Sequence, residues 1–270
     1  MSEALQQAAG ERLRRALAAL TRTPLTGALA GMVVTAVMQS SSATTVMVIG
    51  FVSAGLLELP QAVAVIFGAN IGTTVTAQLL AFRVEEMLGL VLFGGFFLCA
   101  VARTERGRQM GTAVFSFGLL FAGMEQIQSV VEPLALRPEF EAWMAQVREK
   151  PLWGLLLGLA GAVPVLLGDN VGTTITAILA AAGGTRDAKR AAAAHCCFNL
   201  SGSLVCLLVL PWFVRLVELL PPEGEELEII ARQIANAHTL FNALCTLIWL
   251  PLTPLMVRLV TTLVPEKRTE

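Results

Sequence analysis

Two ten-residue stretches set 100 positions apart are near copies of each other: Gly68–Ala77 reads GANIGTTVTA and Gly168–Ala177 reads GDNVGTTITA. Seven of the ten positions are identical, two others exchange Val and Ile, and Asp169 for Ala69 is the one change of chemistry. Each copy sets Gly, Asn and Thr inside apolar sequence. Polar side chains at hydrocarbon depth are expensive and usually serve function. A copied polar block in such a chain predicts a binding centre built twice between packed helices.

Composition sets the solvent. Of the 270 residues 55% are apolar and only 14% charged, with mean hydropathy +0.70, against about 25% charged in an ordinary soluble domain. The charges cluster between apolar runs over roughly 24–55, 60–82, 87–102, 110–131, 152–182, 191–220 and 229–264. The stronger runs reach the ~20 residues that cross ~30 Å of hydrocarbon. The expected fold class is an all-α polytopic membrane protein. Residues 1–23 read as an amphipathic or cytoplasmic leader without a cleavage site. Cys99, Cys196, Cys197, Cys206 and Cys245 lie in apolar runs and read as buried helix residues. The net charge of −1 offers nothing to a nucleic acid.

Charge bias orients the spans. The leader carries Arg12, Arg14, Arg15 and Arg22; residues 103–108 carry Arg103, Arg106 and Arg108; residues 186–190 carry Arg186, Lys189 and Arg190; the end carries Lys267 and Arg268. These segments read as cytoplasmic. The loops at 83–86, 132–150 and 218–228 are poor in positive charge or acidic and read as external. The loop after the first block is then outside and the loop after the second inside. The two copies therefore run in opposite senses, as inverted-topology repeats with broken helices.

A second polar string interrupts another apolar run. Residues Gln39–Thr45 read QSSSATT, between GALAGMVVTAVM and VMVIGFVSAGLL. One or two hydroxyls can be satisfied by back-bonding within a helix; a Gln followed by three Ser is a heavier load. The expected geometry is two half-helices meeting at Gln39–Ser42. Amides and hydroxyls there suit an oxyanion, and hydroxyl and carbonyl oxygens suit Na+.

On QSSSATT at 39–45, GANIGTT at 68–74, GDNVGTT at 168–174 and AAAAHCCFNL at 191–200, the chain resembles the type II sodium-dependent phosphate cotransporters and their bacterial relatives. The resemblance implies a re-entrant hairpin in each repeat and a Na+-coupled inorganic phosphate symporter of the inner or plasma membrane. It assigns phosphate binding to Gln39, Ser40, Ser41, Ser42, Thr44, Asn70, Thr73, Thr74, Asn170, Thr173 and Thr174. Gln39, Ser42, Thr45 and Asp169 are the Na+ candidates. Asp169 reads alternatively as the cap of a helix starting near Gly172.

One part of that pattern is missing. Pro24-Leu25-Thr26-Gly27 opens repeat one 44 positions before Gly68, while the similar Pro151-Leu152-Trp153-Gly154 stands only 17 before Gly168. The difference is 27 residues, no second QSSS occurs, and the junction falls within 155–164. A hairpin that enters and leaves on one side can be lost without reversing later loops. The expected organisation is a leader (1–23), repeat one (24–131), an external loop (132–150), a shortened repeat two (151–264) and a tail (265–270).

The two histidines recur in one pattern: AHCCFN at 194–199 and AHTLFN at 237–242. His195 with Asn199, and His238 with Asn242, share a helical face at i and i+4. They read as polar support behind the binding centre, or as inter-helix hydrogen bonding within the bundle. Gln78 reads as a packing or supporting residue. No nucleophile–base pair, phosphate loop or metal cluster is visible, so neither an enzyme nor a cofactor is expected beyond Na+ as coupling ion. The expected partners are phosphate, Na+ and the bilayer, with a homo-oligomer left open. The alternative is a non-transporting membrane relative with a partner-binding or sensing role.

Overall fold

The computed structural model describes residues 17–80, 85–135, 137–139, 142, 145, 163–219 and 226–266. Most of the leader, the 132–150 loop, the 155–164 junction, most of the 218–228 loop and the basic tail lie outside or largely outside these residues. Among the described residues every regular element is an α-helix: α1 (Pro24–Met38), α2 (Ser41–Ser53), α3 (Leu59–Leu80), α4 (Glu85–Val101), α5 (Glu105–Ala135), α6 (Val163–Gly172), α7 (Thr174–Ala181), α8 (Arg186–Leu208), α9 (Leu210–Glu218), α10 (Glu226–Trp249) and α11 (Thr253–Leu263).

The chain divides into two compact units, residues 1–79 with 151–270, and residues 80–150. In the smaller, α4 and α5 pack as a helical hairpin. Its seam needs glycine: a Cβ at Gly95 would stand 2.4 Å from the Phe115 amide nitrogen, and one at Gly111 2.6 Å from that of Cys99. Leu90, Phe93, Phe96 and Phe97 stay exposed.

The larger unit starts with α1, where Thr23 caps the helix by a reciprocal pair: the Thr26 amide donates to Thr23 Oγ1 at 3.2 Å, and the Thr23 amide to Thr26 Oγ1 at 3.0 Å. Pro24 at the first turn fits this start. The buried face of α1 is Gly27, Ala28, Gly31 and Thr35. It crosses α3 at backbone distance: a Cβ at Gly68 would lie 1.7 Å from the Ala28 carbonyl oxygen, and one at Gly31 2.0 Å from that of Val65. A Cβ at Gly72 would lie 2.5 Å from the Met32 oxygen. Small residues spaced by four let membrane helices approach this closely. The polar first block is thus also a packing surface.

Helix α8 is the spine of this unit. Its 23 residues are long and apolar enough to cross a membrane, about 34 Å at 1.5 Å per residue. Helices α10 and α11 pass the same test only as a pair, bent by 87°. The other apolar helices here are shorter. The core gathers Val48, Val63, Ile66, Phe67, Leu167, Phe198, Phe241, Met256 and Val260, with Phe67 and Phe198 stacked at 4.9 Å. Two arginines at the start of α8 hold the end of α11. Arg190 donates to the Val264 carbonyl at 3.0 Å and pairs with Asp187 at 2.8 Å. Arg186 donates to the Pro265 carbonyl. Cations at a helix C-terminus complement its dipole.

Candidate polar centre

The QSSS string breaks the helix where the sequence predicts. Helix α1 ends on Gln39, at φ 57°, the one left-handed non-glycine residue among those described. Ser40 is extended and caps α2, its Oγ accepting from the Ala43 amide at 3.1 Å. The Gln39 side chain turns back to the Ala36 carbonyl. The amides of Ser41 and Ser42 occupy the first two positions of α2, where no intrahelical acceptor exists. Such amides, at the positive end of the helix dipole, favour an anion. Gln39 is exposed and Ser42 half-buried, whereas Ser41, Thr44 and Thr45 are buried. Thr35 ties the two arms together, donating to Thr44 Oγ1 at 2.9 Å.

Both repeated blocks adjoin this hairpin. The first reaches it through α1, where Gly72 lies against Met32, Thr35 and Ala36. The second reaches it through the packing of α2 on α7, and α2 also packs on α8. The second block remains helical through Thr173 (φ −61°, ψ −21°), so Asp169 sits within α6 rather than capping a new helix, and it is exposed. Among the described residues nothing lies within 4 Å of a Cβ built on Gly172. The two copies thus differ in surroundings: Gly72 is packed and Gly172 is open.

Four asparagines behave alike. The side-chain amides of Asn70, Asn170, Asn199 and Asn242 donate to the carbonyls four residues back, on Ile66, Leu166, His195 and His238, at 2.8, 3.0, 3.1 and 3.0 Å. The donor is used locally and the oxygen is turned outward. Asn199 Nδ2 also lies 3.5 Å from Asn70 Oδ1, and His238 Nε2 3.4 Å from Asn170 Oδ1. Each repeated block therefore lies against one copy of the His–Asn pattern, the first through Asn199 and the second through His238. The hydroxyls of Thr74, Thr173 and Thr174 likewise donate to carbonyls three residues back. Thr73 is half-buried beside them. Gln78 bridges α3 to α10, donating to Asn236 Oδ1 at 3.2 Å and Thr239 Oγ1 at 2.9 Å.

Several buried polar atoms make no hydrogen bond among the described residues: Thr45 Oγ1, both ring nitrogens of His195, Asn199 Oδ1 and Asn242 Oδ1. His195, Asn199 and Asn242 are fully buried. Buried polar atoms are nearly always paired, which sets these atoms of α2, α8 and α10 apart from the rest of the interior. The first amides of α2 stand at the hairpin tip, and the unpaired interior atoms are the Asn199 and Asn242 oxygens, the Thr45 hydroxyl and the His195 ring.

Sequence reading passes over three contributors. Thr35, Ser203 and Thr246 are buried, and each fastens one element to another. A lone hydroxyl in an apolar helix gives no signal, because it resembles ordinary back-bonding. The cysteines divide: Cys206 and Cys245 are buried, while Cys99, Cys196 and Cys197 are half-buried.

Comparison with known proteins agrees with the motifs. A family model described as Na+/Pi-cotransporter matches residues 1–129, which include the hairpin and the first block. An uncharacterized protein of Bacillus subtilis, YqeW, is 31% identical over 239 residues, covering 78% of each chain. Escherichia coli YjbB, named as an inorganic phosphate export protein, is 28% identical over 225 residues; these are 73% of this chain but only 41% of YjbB. The sodium-dependent phosphate transport protein 2A of Ovis aries is 44% identical over 63 residues, 23% of this chain and 10% of that one. No solved structure matches the chain. With the hairpin and first block inside the family model, and a relative aligned over more than three quarters of both sequences, the chain belongs to the Na+/Pi-cotransporter family.

Proposed function

We propose that the protein moves inorganic phosphate across the inner or plasma membrane by symport with Na+, as a multi-pass protein with a cytoplasmic N-terminus. The observation that carries this reading is the helix break at Gln39–Ser42, whose first α2 amides are donors, together with the unpaired oxygens buried on α2, α8 and α10. Phosphate binds at the hairpin tip, where Gln39, Ser40, Ser41 and Ser42 and the first amides of α2 supply donors. Na+ takes buried oxygens that accept no hydrogen bond: those of Asn199 and Asn242, whose amides donate to the backbone, and that of the Thr45 hydroxyl. Hydroxyl and amide oxygens suit such a hard cation, and no charged ligand is needed. Asn70, Thr73, Thr74, Asn170, Thr173 and Thr174 link the two regions, with His195 and His238 behind them. Asp169 is a further Na+ candidate from the second block.

Family membership supports phosphate as the cargo, and the relatives' names associate it with both sodium-dependent transport and export. The test is phosphate flux in proteoliposomes, with imposed Na+ gradients in both directions and a K+ control. Phosphate movement that follows the Na+ gradient supports symport. Flux indifferent to Na+ refutes the coupling, and absence of flux together with absence of phosphate binding refutes the transport reading.

A second reading has one observation in its favour. Gly72 packs against α1, the first arm of the hairpin, and Gly172 meets no such arm among the described residues. A protein with one hairpin can bind phosphate and Na+ without alternating access, and so act as a sensor or a partner-binding relative.

A further inference from the structure

Beyond the polar centre, a partly open cavity of about 340 Å³ lies between α8 and α10, with Phe213 of α9 on its wall. That volume is in the range of sites for small organic ligands. Its walls are almost wholly apolar, among them Val205, Val209, Phe213, Leu244 and Ile248. The polar groups at its edge satisfy each other: Trp249 Nε1 donates to Ser201 Oγ at 3.1 Å, and Ser201 donates to the Phe198 carbonyl at 3.2 Å. A charged or polar ligand would find no partner there. The floor is the crossing of the two helices, where a Cβ on Gly202 would stand 2.5 Å from Cys245 Sγ and 3.1 Å from the Phe241 ring.

The surroundings decide what fills the cavity. One wall is α8, the helix long and apolar enough to cross a membrane. Around it Leu204, Leu208 and Leu247 are 59%, 73% and 68% exposed. In a bilayer, an apolar hollow bordered by apolar side chains, on a helix long and apolar enough to cross it, opens to hydrocarbon. We infer that this cavity is a binding site for one lipid acyl chain, inserted between α8 and α10. Its floor lies one helical turn from Asn199 and Asn242, since Gly202 and Cys245 follow them by three positions. A chain seated there restrains the two helices that carry the spare oxygens. The inference rests on the membrane setting of the proposed function, not on transport.

Trp249 lines the cavity and supplies the probe. Full-length protein with Trp143, Trp153 and Trp212 changed to Phe keeps Trp249 alone; a second version keeps only Trp212, which is 66% exposed on α9. Both are purified in detergent and titrated with phosphatidylcholine carrying a brominated stearoyl chain, which quenches indole emission on contact. The expected result is saturable loss of most Trp249 emission, with one lipid per chain, reversed by unbrominated lipid. Val205→Phe fills the hollow from its open side without pressing on Cys245 and should abolish the saturable part. Leu204→Phe, which does not line the cavity, should leave it unchanged. Equal, non-saturating quenching of both tryptophans, or saturable quenching indifferent to Val205→Phe, overturns the site while leaving the membrane setting intact. In vesicles of the same brominated lipid, no quenching of Trp212 means that the membrane setting itself fails.

Discussion

Thr246 donates to the carbonyl of Phe67 at 3.2 Å, joining α10 to α3. Its counterpart is Ser203, which donates to the carbonyl of Leu167 at 3.4 Å and joins α8 to α6. Phe67 and Leu167 each stand immediately before a repeated block, and Ser203 and Thr246 each follow the Asn of a His–Asn pattern by four positions. The same bond is thus made twice between equivalent partners. A bond of the same kind therefore stands immediately before each repeated block.

That match predicts matched losses. Thr246→Val and Ser203→Ala should each destabilise the protein by about 0.5–1.5 kcal/mol, the range for a hydrogen bond between membrane helices and for a lost buried partner. Thermal unfolding in detergent measures it. A large loss from one substitution and none from the other would show that the halves are held differently.

The halves should part at their glycines. A Cβ at Gly72 meets the Met32 carbonyl oxygen at 2.5 Å and Thr35 Cβ at 2.6 Å, whereas one at Gly172 meets nothing within 4 Å. Gly72→Ala should therefore cost about 1–3 kcal/mol through overpacking. Gly172→Ala should be neutral or slightly stabilising, because Ala suits a helix better than Gly by up to about 1 kcal/mol. Equal melting shifts would mean that a partner covers Gly172 in the folded protein.

How far the sequence carries this picture depends on the residue. The break at Gln39–Ser42 is legible because a Gln and three Ser overload what back-bonding can satisfy. The doubled block is legible because its copies keep Asn and Thr where apolar residues surround them. The α1–α3 crossing is not, since Gly27, Gly31, Gly68 and Gly72 become a contact only when two helices meet. Neither are the roles of the asparagines. Asn199 and Asn242 read as supporting residues, and only the backbone bond made by each amide reveals that its oxygen is the free end.

Binding should separate along the same lines. Ser41→Ala should weaken phosphate binding, Asn242→Ala should raise the Na+ concentration needed, and Asn70→Ala, beside Asn199, should weaken both. Losing a partner in a desolvated site costs about 1–3 kcal/mol, or roughly 5- to 150-fold in affinity. Ser201→Ala should change neither, since among the described residues Ser201 bonds Phe198 and Trp249 and no member of the polar centre. Titration calorimetry with phosphate at several Na+ concentrations distinguishes the cases, and equal effects from all four substitutions would remove these residues from the site.

Topology follows from charge. Arg106 and Lys189 should be cytoplasmic, and Glu85 and Glu226 external, because short basic loops stay inside. Single cysteines at these positions, in a background with the native five replaced, can be labelled from either side by a membrane-impermeant maleimide. Labelling of positions 85 and 189 from the same side would end the inverted-repeat reading.

The last prediction concerns the 27-residue difference between the repeats. About 27 residues at 1.5 Å each amount to two short half-helices, the size of α1 and α2 together. Inverted-repeat transporters alternate access by closing one site from each side with elements of both repeats. This chain keeps the hairpin bearing Gln39–Ser42, packed on Gly72, and holds no counterpart on Gly172 among its described residues. Half of the oxygen and amide cage, and one gate, then depend on something this repeat lacks. The native chain should bind phosphate yet accumulate it weakly, or not at all, under a Na+ gradient. Inserting about 27 residues that carry a second QSSS hairpin between Gly161 and Pro164 should raise uptake, and Gly172→Leu in that variant should abolish the gain by blocking the new contact. Robust concentrative uptake by the native chain would refute the dependence and place the second gate within α6 and α7 or in a neighbouring copy.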